Sequence, residues 1–428
     1  MVAGQEKPIA GYLIVAADGT LSAVGAGSPP PGEVTGAVEE WDARGQWVLP
    51  GFISAHSHLW QSAYRGLASD QTLMGWIKAV YAQNAALAEP ENFYWFTLHG
   101  ALDHLRHGIT GAYNFNYASG PEHAVQLTEL QFRAERDSGI RFVHGINLGR
   151  IGPAFTVTQA RIQLESALDW IKAQEPAPGF LSVMINGAGA FVATPEQAKA
   201  EAGLMREFSL GNQTHFLESP PDQYEERTKF RWLLDAGLLG RGLIFGHFVH
   251  ADPWIVRETV RAGAGMSWNP LSNGRLASGV ADIPAYLKAG LRIGMGVDGQ
   301  ASADRADPFE NMRMGLYQVR AKYEDATVLS PYDVLKLHTV GSADVLGVAD
   351  RLGSLAPGKF ADFIVLDPSD LGPVFDPYAT LVFVAGTRDI VRVYVGGELK
   401  VVDGQVAGSA YARASAEVAR RVKLPEVP

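Results

Sequence analysis

Along most of the chain, short runs of apolar residues alternate with longer stretches in which apolar positions recur every three to four residues. The short runs suit buried strands and the longer period suits amphipathic helices, so their alternation predicts repeated βα units. The strand-like runs fall at 51–55, 109–115, 141–146, 181–185, 213–217, 243–245, 264–267 and 291–297. Eight runs at this spacing predict an α/β fold, a (β/α)8 TIM barrel, which takes about 250 residues or more with insertions. A doubly wound open sheet is the alternative, but no G-x-G-x-x-G or G-x-x-x-x-G-K-[ST] follows a strand to support it.

The two ends of the chain read differently. Gly11-Tyr12-Leu13-Ile14-Val15, the turn signal Asp18-Gly19 and Leu21-Ser22-Ala23-Val24 predict a hairpin, followed by a loop with Pro29-Pro30-Pro31. Strand-like runs return at 362–366 and 391–395, with Gly396-Gly397 and Asp403-Gly404 as turns. Neither end carries a core of its own. The expected organisation is therefore a barrel at 50–353 flanked by one small β-domain built from 1–49 and 354–428, the latter with a terminal helix. The segments 60–95 and 186–196 are longer insertions, expected to act as lids.

The 428 residues are 47% hydrophobic and 19% charged, ordinary for a globular protein and enough for one large domain and a smaller one. A net charge of -10 without a cluster of Lys and Arg argues against a nucleic-acid or anionic-membrane partner. No long uninterrupted apolar run predicts a membrane span, and the first residues lack a basic start followed by an apolar segment, so a soluble cytoplasmic protein is expected. The absence of cysteine leaves only nitrogen and oxygen to hold a metal.

The chemistry-bearing residues gather at the ends of the predicted strands. His56 and His58 follow the first, His215 and Glu218 end the fifth, His247 the sixth and Asp298 the eighth. In a barrel these ends converge on one mouth, where (β/α)8 enzymes carry their chemistry. His56 and His58, two apart, point to the same side of an extended chain. A single histidine of this kind is more often a hydrogen-bonded core residue than a ligand. Recurrence at four strand ends favours a metal site.

Here the residues resemble a family. The run 49–58, Leu-Pro-Gly-Phe-Ile-Ser-Ala-His-Ser-His, is similar to the first-strand motif of the amidohydrolase superfamily. Phe245-Gly246-His247 and Gly294-Met295-Gly296-Val297-Asp298-Gly299 resemble its sixth- and eighth-strand motifs, and the similarity extends to 269–279 and 352–362. The branch it resembles most is that of the cytosine deaminases and triazine hydrolases. This implies one divalent metal held by His56, His58, His215 and Asp298, most simply Zn2+, with Fe2+ the other metal the set suits. It also implies catalytic roles for Glu218 as proton shuttle, His247 as polarising group and Asp298 as ligand and base. Binuclear relatives bridge their metals through a lysine of the fourth strand; 181–187 contains none, which implies a single ion. His250 is expected to be structural. His99, His104, His107 and His338 lie in helical patterns and are expected to sit at the surface or in packing.

Trp60, Trp76, Trp95, Tyr113, Phe115, Phe216 and Trp268 lie at or beside strand ends and insertions and predict an apolar mouth for a planar small molecule. Trp60, Gln61, Trp76, Asn114 and Trp268 are the expected substrate contacts, with Asn116 and Asn186 as further polar groups. The chain departs from the branch at Trp268, where deaminases carry His or Cys, and at Ser219-Pro220-Pro221 and Ser302-Ala303-Asp304. The expected reaction is hydrolysis at an sp2 carbon with a nitrogen leaving group. Trp268 and the aromatic mouth favour an aryl urea, carbamate or amide; the alternative is deamination or dechlorination of a triazine, purine or pyrimidine. A non-catalytic scaffold is disfavoured because the implied ligand set is intact. The resemblance also implies a homo-oligomer.

Overall fold

The computed structural model describes residues 6–34, 39–118, 120–174, 176–188, 194–220 and 223–422. Eight parallel strands form one sheet: β1 (Phe52–Ser54), β2 (Ile109–Asn114), β3 (Arg141–Asn147), β4 (Phe180–Asn186), β5 (Gly211–Phe216), β6 (Leu243–His247), β7 (Gly265–Trp268) and β8 (Arg292–Met295). They pair in chain order from β1 to β8. The sheet closes on itself where Ala55 N donates to Met295 O at 2.9 Å and Ser57–His58 pairs in parallel with Asp298–Gly299. The result is the (β/α)8 TIM barrel that the alternating pattern predicts, and each expected strand overlaps an observed one.

Helices between the strands start where side chains satisfy their free N–H groups. Thr156 and Gln159 form a capping box before Val157–Ala173, and Asp252 accepts from the N–H groups of Trp254 and Ile255 before Pro253–Ala262. Their apolar faces pack on the barrel in one large core that includes Phe142, Phe216, Phe245, Trp268, Phe309 and Leu316.

A five-stranded antiparallel sheet is built from both ends of the chain: Trp47–Pro50 pairs with Phe363–Leu366, which leads through Ile390–Val395 and Glu398–Val402 to Gln405–Val406. The predicted hairpin, Gly11–Val15 with Leu21–Ala26, forms a separate two-stranded sheet, bridged at Thr20 to Phe360. The flanking sheet meets the barrel at the N-terminal ends of its strands. There Arg141, first residue of β3, donates to Asp362 at 3.0 Å and lies 3.6 Å over the Phe360 ring, while Gly51 N donates to Asp362 O at 3.1 Å. The terminal helix Ala410–Arg421 docks on the helix Asn92–Arg106, with Tyr411 Oη donating to Asp103 at 3.1 Å. Among the described residues no helix is long and apolar enough to cross a membrane.

Candidate active site and metal centre

At the C-terminal mouth of the barrel the chain leaves three strands through left-handed turns at non-glycine residues: Leu217 (φ 53°), His247 (φ 68°) and Asp298 (φ 57°). Such conformations cost about 1–3 kcal/mol each and persist only where the surroundings enforce them. The enforcing contacts are present. Leu217 N donates to the buried Glu226 carboxylate, Asn273 Nδ2 lies 2.9 Å from His247 Nδ1, and Asp298 N donates to His56 O at 3.0 Å. These turns aim Glu218, His247 and Asp298 into the mouth that His56, His58 and His215 already face.

The six side chains form one cluster, buried except at the partly exposed His215. Asp298 Oδ1 lies 3.3 Å from His56 Nε2 and 3.4 Å from His58 Nε2, and His58 Nε2 lies 3.1 Å from His215 Nε2. His247 stands between the carboxylates, with Nε2 4.0 Å from Asp298 Oδ2 and Nδ1 3.7 Å from Glu218 Oε1. The outer nitrogens of the first two histidines are occupied. Gln213 Oε1 accepts from His56 Nδ1 at 2.5 Å, and Phe115 O accepts from His58 Nδ1 at 3.1 Å. With Nδ1 protonated in this way, each Nε2 presents a lone pair to the centre. Asp298 is held as well: Ser272 and Ser302 donate to Oδ2 at 2.5 and 2.9 Å, leaving Oδ1 turned to the histidines.

Burial sets the charge state. Desolvation, helped by the charge of His56, pushes His58 down to about 4. Desolvation likewise carries His247 down to about 3 and His215 well below its ordinary value. Burial acts to raise Asp298, but the electrostatic pull of His247, His56 and His58 around it outweighs this, so its carboxyl stays well below the usual range. Neutral imidazoles converging on a carboxylate are the donor set of a divalent metal. His56 Nε2, fully buried, has no hydrogen-bond partner among the described residues, although an orphaned polar atom is costly. Two sets, His56 with His58 and His215 and His56 with His247 and Asp298, each bring their ligand atoms within 4.8 Å of one another. The residues fit one divalent ion.

A cavity of about 390 Å³ opens onto the cluster. His58, His215, Glu218, His247 and Asp298 line its floor, and Leu73, Trp76, Ile77, Tyr81, Phe115 and Leu276 its apolar walls. The insertion 60–95 thus covers the mouth as expected; the expected lid at 186–196 falls partly outside the described residues.

Four of the five expected substrate contacts lie elsewhere. Only Trp76 lines the cavity, its Nε1 donating to Ala301 O at 2.7 Å. Trp268 faces away: its ring packs against Gly315 and Pro270 between barrel and helix, because Ser267 and Trp268 alternate across β7 and Ser267 takes the inner side. Trp60 is buried in an aromatic cluster with Tyr64, Tyr81, Phe93 and Tyr117. Asn114 is spent internally, accepting from Leu59 N and donating to Asn116 and Glu135. Asn186 likewise accepts from Tyr113 Oη. Gln61 lies behind Tyr81, to whose Oη it donates at 3.3 Å. Of the expected aromatic mouth, Tyr113, Phe216 and Trp95 contribute nothing to the cavity lining, and Phe115 does.

Sequence reasoning missed Gln213, Ser272, Asn273, Glu226 and Tyr81. Gln213 was accessible, since it sits two before His215 in the same strand and so shares its face. Ser272 and Asn273 lie in the run 269–279 that resembles the family, but strand parity does not reach them: a helix start at Pro270 brings them to the mouth.

Taken together, a (β/α)8 barrel with a metal-suited, acid-base-equipped mouth defines a metal-dependent hydrolase. Residues 47–400 match the amidohydrolase family, and the chain belongs to it, as a hydrolase acting on carbon–nitrogen bonds. A 5-methylthioadenosine/S-adenosylhomocysteine deaminase of Symbiobacterium thermophilum is 30% identical over 373 residues, covering 85% of this chain and 83% of that protein. A deaminase of the same name from Syntrophomonas wolfei is 28% identical over 406 residues, 92% of this chain and 90% of its own. Among solved structures, a zinc-bound adenosine deaminase of Xanthomonas campestris superposes with a TM-score of 0.82 at 22% identity, covering 96% of this chain and 93% of its own. A zinc-complexed atrazine chlorohydrolase of Arthrobacter aurescens gives a TM-score of 0.82 at 23% identity, with 95% of each chain covered.

Proposed function

We propose that the protein is a zinc-dependent aminohydrolase that replaces the amino group of a planar N-heterocycle by oxygen, releasing ammonia. The observation that carries this reading is the placement of Glu218 on the floor of an apolar-walled cavity, beside His247 and among the cluster's histidines and Asp298. His56, His58, His215 and Asp298 would hold the ion. When bound, such a metal lowers the pKa of water from 15.7 in bulk to about 7. Glu218 takes a proton from the attacking water and returns it to the ring nitrogen next to the reacting carbon. Asp298, its Oδ2 fixed by Ser272 and Ser302, takes the second proton and passes it to the departing amine. The carbon–oxygen bond forms, the carbon–nitrogen bond breaks, the second proton leaves with the amine as ammonia, and the first stays on the ring nitrogen of the product. His247, whose Nδ1 faces Asn273 Nδ2, turns Nε2–H towards the developing oxygen.

The names of the relatives favour the heterocycle over an aryl urea, carbamate or amide. That second reading drew on Trp268 as a pocket residue, and Trp268 packs behind the strand. We further propose a cytoplasmic enzyme that assembles as a homo-oligomer, as the resemblance implies. The test is ammonia release by zinc-loaded protein from a panel of aminopurine nucleosides, aminotriazines and aminopyrimidines, with aryl ureas and anilides alongside. Ammonia from a heterocycle is expected; arylamine release with no ammonia from any heterocycle would overturn the reading.

A further inference from the structure

One cavity-lining group has no part in the reaction as derived. Tyr81, in the single wide turn Lys78–Ala82, stands on the wall of the catalytic cavity with its ring held by Trp60, Trp76 and Tyr117 at centroid distances of 5.1, 6.0 and 6.1 Å. Its hydroxyl oxygen accepts from Gln61 Nε2 at 3.3 Å. A phenol that accepts there keeps its own hydrogen to donate, and among the described residues no acceptor takes it. Burial, with the charges of Asp298, Tyr117 and Glu218 and against the Gln61 hydrogen bond, pushes the hydroxyl above the usual phenol range, so it stays a donor.

The mounting of this hydroxyl is rigid. Gln61 is fully buried, its Oε1 is without a hydrogen-bond partner among the described residues, and it is wedged against the residue after Asp298. A Cβ on Gly299 would fall 1.7 Å from Gln61 Oε1, so any larger residue there would displace the Gln61 amide. Trp76 Nε1 ties the same insertion to Ala301 O at 2.7 Å. Tyr81 is thus braced on the loop that carries Asp298, and its position relative to the reacting centre is set by the fold.

We infer that Tyr81 is a substrate-binding and specificity residue whose hydroxyl donates to a ring nitrogen of the heterocycle other than the one Glu218 serves. The substrate then carries at least two ring nitrogens, as a diazine, purine or triazine does. This rests on the aminohydrolase reading and narrows it. In an apolar wall, a donor left without its acceptor is unfavourable, so the hydroxyl also disfavours rings that lack the second nitrogen.

The experiment compares wild type with Tyr81→Phe on the heterocycle that wild type deaminates best and on its analogue with the remote ring nitrogen replaced by C–H. The expected result is a fall in kcat/KM of roughly tenfold to a hundredfold for Tyr81→Phe on the parent, little further fall on the analogue, and an unchanged unfolding temperature. Gln61→Leu, which keeps the hydroxyl but removes its brace, is expected to raise KM more than it lowers kcat. Equal kcat/KM in wild type and Tyr81→Phe, or equal losses on parent and analogue, would overturn the inference alone. Failure of wild type to release ammonia from any heterocycle would overturn the aminohydrolase reading and this inference with it.

Discussion

The two ends of the barrel each bury charged groups, and they treat them in opposite ways. At the N-terminal end, Asp362 accepts from Arg141 and Gly396 N while the Arg141 guanidinium lies over the Phe360 ring, so each charge has a partner from the protein itself. At the C-terminal end, three histidine nitrogens and a carboxylate oxygen face one another, and His56 Nε2 has no hydrogen-bond partner among the described residues. A buried pair that satisfies itself fastens two parts of the fold. Polar atoms that converge without satisfying one another need something else between them, and the left-handed turns at Leu217, His247 and Asp298 aim side chains into this end.

The sharpest way to break this contrast is to alter each end in turn. At the mouth, Glu218→Gln is expected to lower kcat by about 10²- to 10⁴-fold while leaving zinc content and unfolding temperature unchanged. Steady-state kinetics beside metal analysis checks it, and full activity in the variant would remove Glu218 from the proton path. At the base, Arg141→Ala leaves Asp362 buried and unpaired, which costs about 3–5 kcal/mol of stability. Urea unfolding should register that loss while the kcat of the folded fraction stays close to wild type.

A smaller effect separates the mouth from the other buried histidines. His338 Nδ1 donates to Ile53 O and its Nε2 accepts from Asn311 Nδ2, and burial holds it down to about 4; His104, donating to Gly100 O, is also carried by burial down to about 4. Both titrate near 6.5 when unfolded, so between about 4 and 6.5 the unfolded chain binds more protons than the folded one. Stability should therefore fall as pH drops from about 6.5 towards 4, by up to about 3 kcal/mol for each histidine. His338→Asn should flatten that slope in urea titrations at pH 7 and 5. A slope unchanged by the substitution would mean that His338 is not held neutral.

The barrel was legible because alternation of apolar runs and helical periods is a local property, and all eight runs carry it. The cluster was legible because strand ends in a barrel share one mouth, so His56, His58, His215, Glu218, His247 and Asp298 needed no knowledge of side-chain direction to be grouped. The cavity walls were not. Whether Trp268 faces in or out depends on strand parity, and whether Asn114 is free depends on Glu135 from the following helix, 21 residues away. The hairpin's separation from the flanking sheet is likewise a matter of tertiary pairing. Aromatic residues near a mouth are a weak guide until the packing decides which of them, as with Tyr81 and Trp76, look into it.

The central claim is that the mouth cluster holds one metal. Zinc content measured by mass spectrometry on dialysed protein, wild type beside His56→Ala and His215→Ala, tests it directly. About one equivalent per chain in wild type, lost in both variants, is the predicted result. Wild type without zinc after loading, or variants that retain a full equivalent, would contradict it.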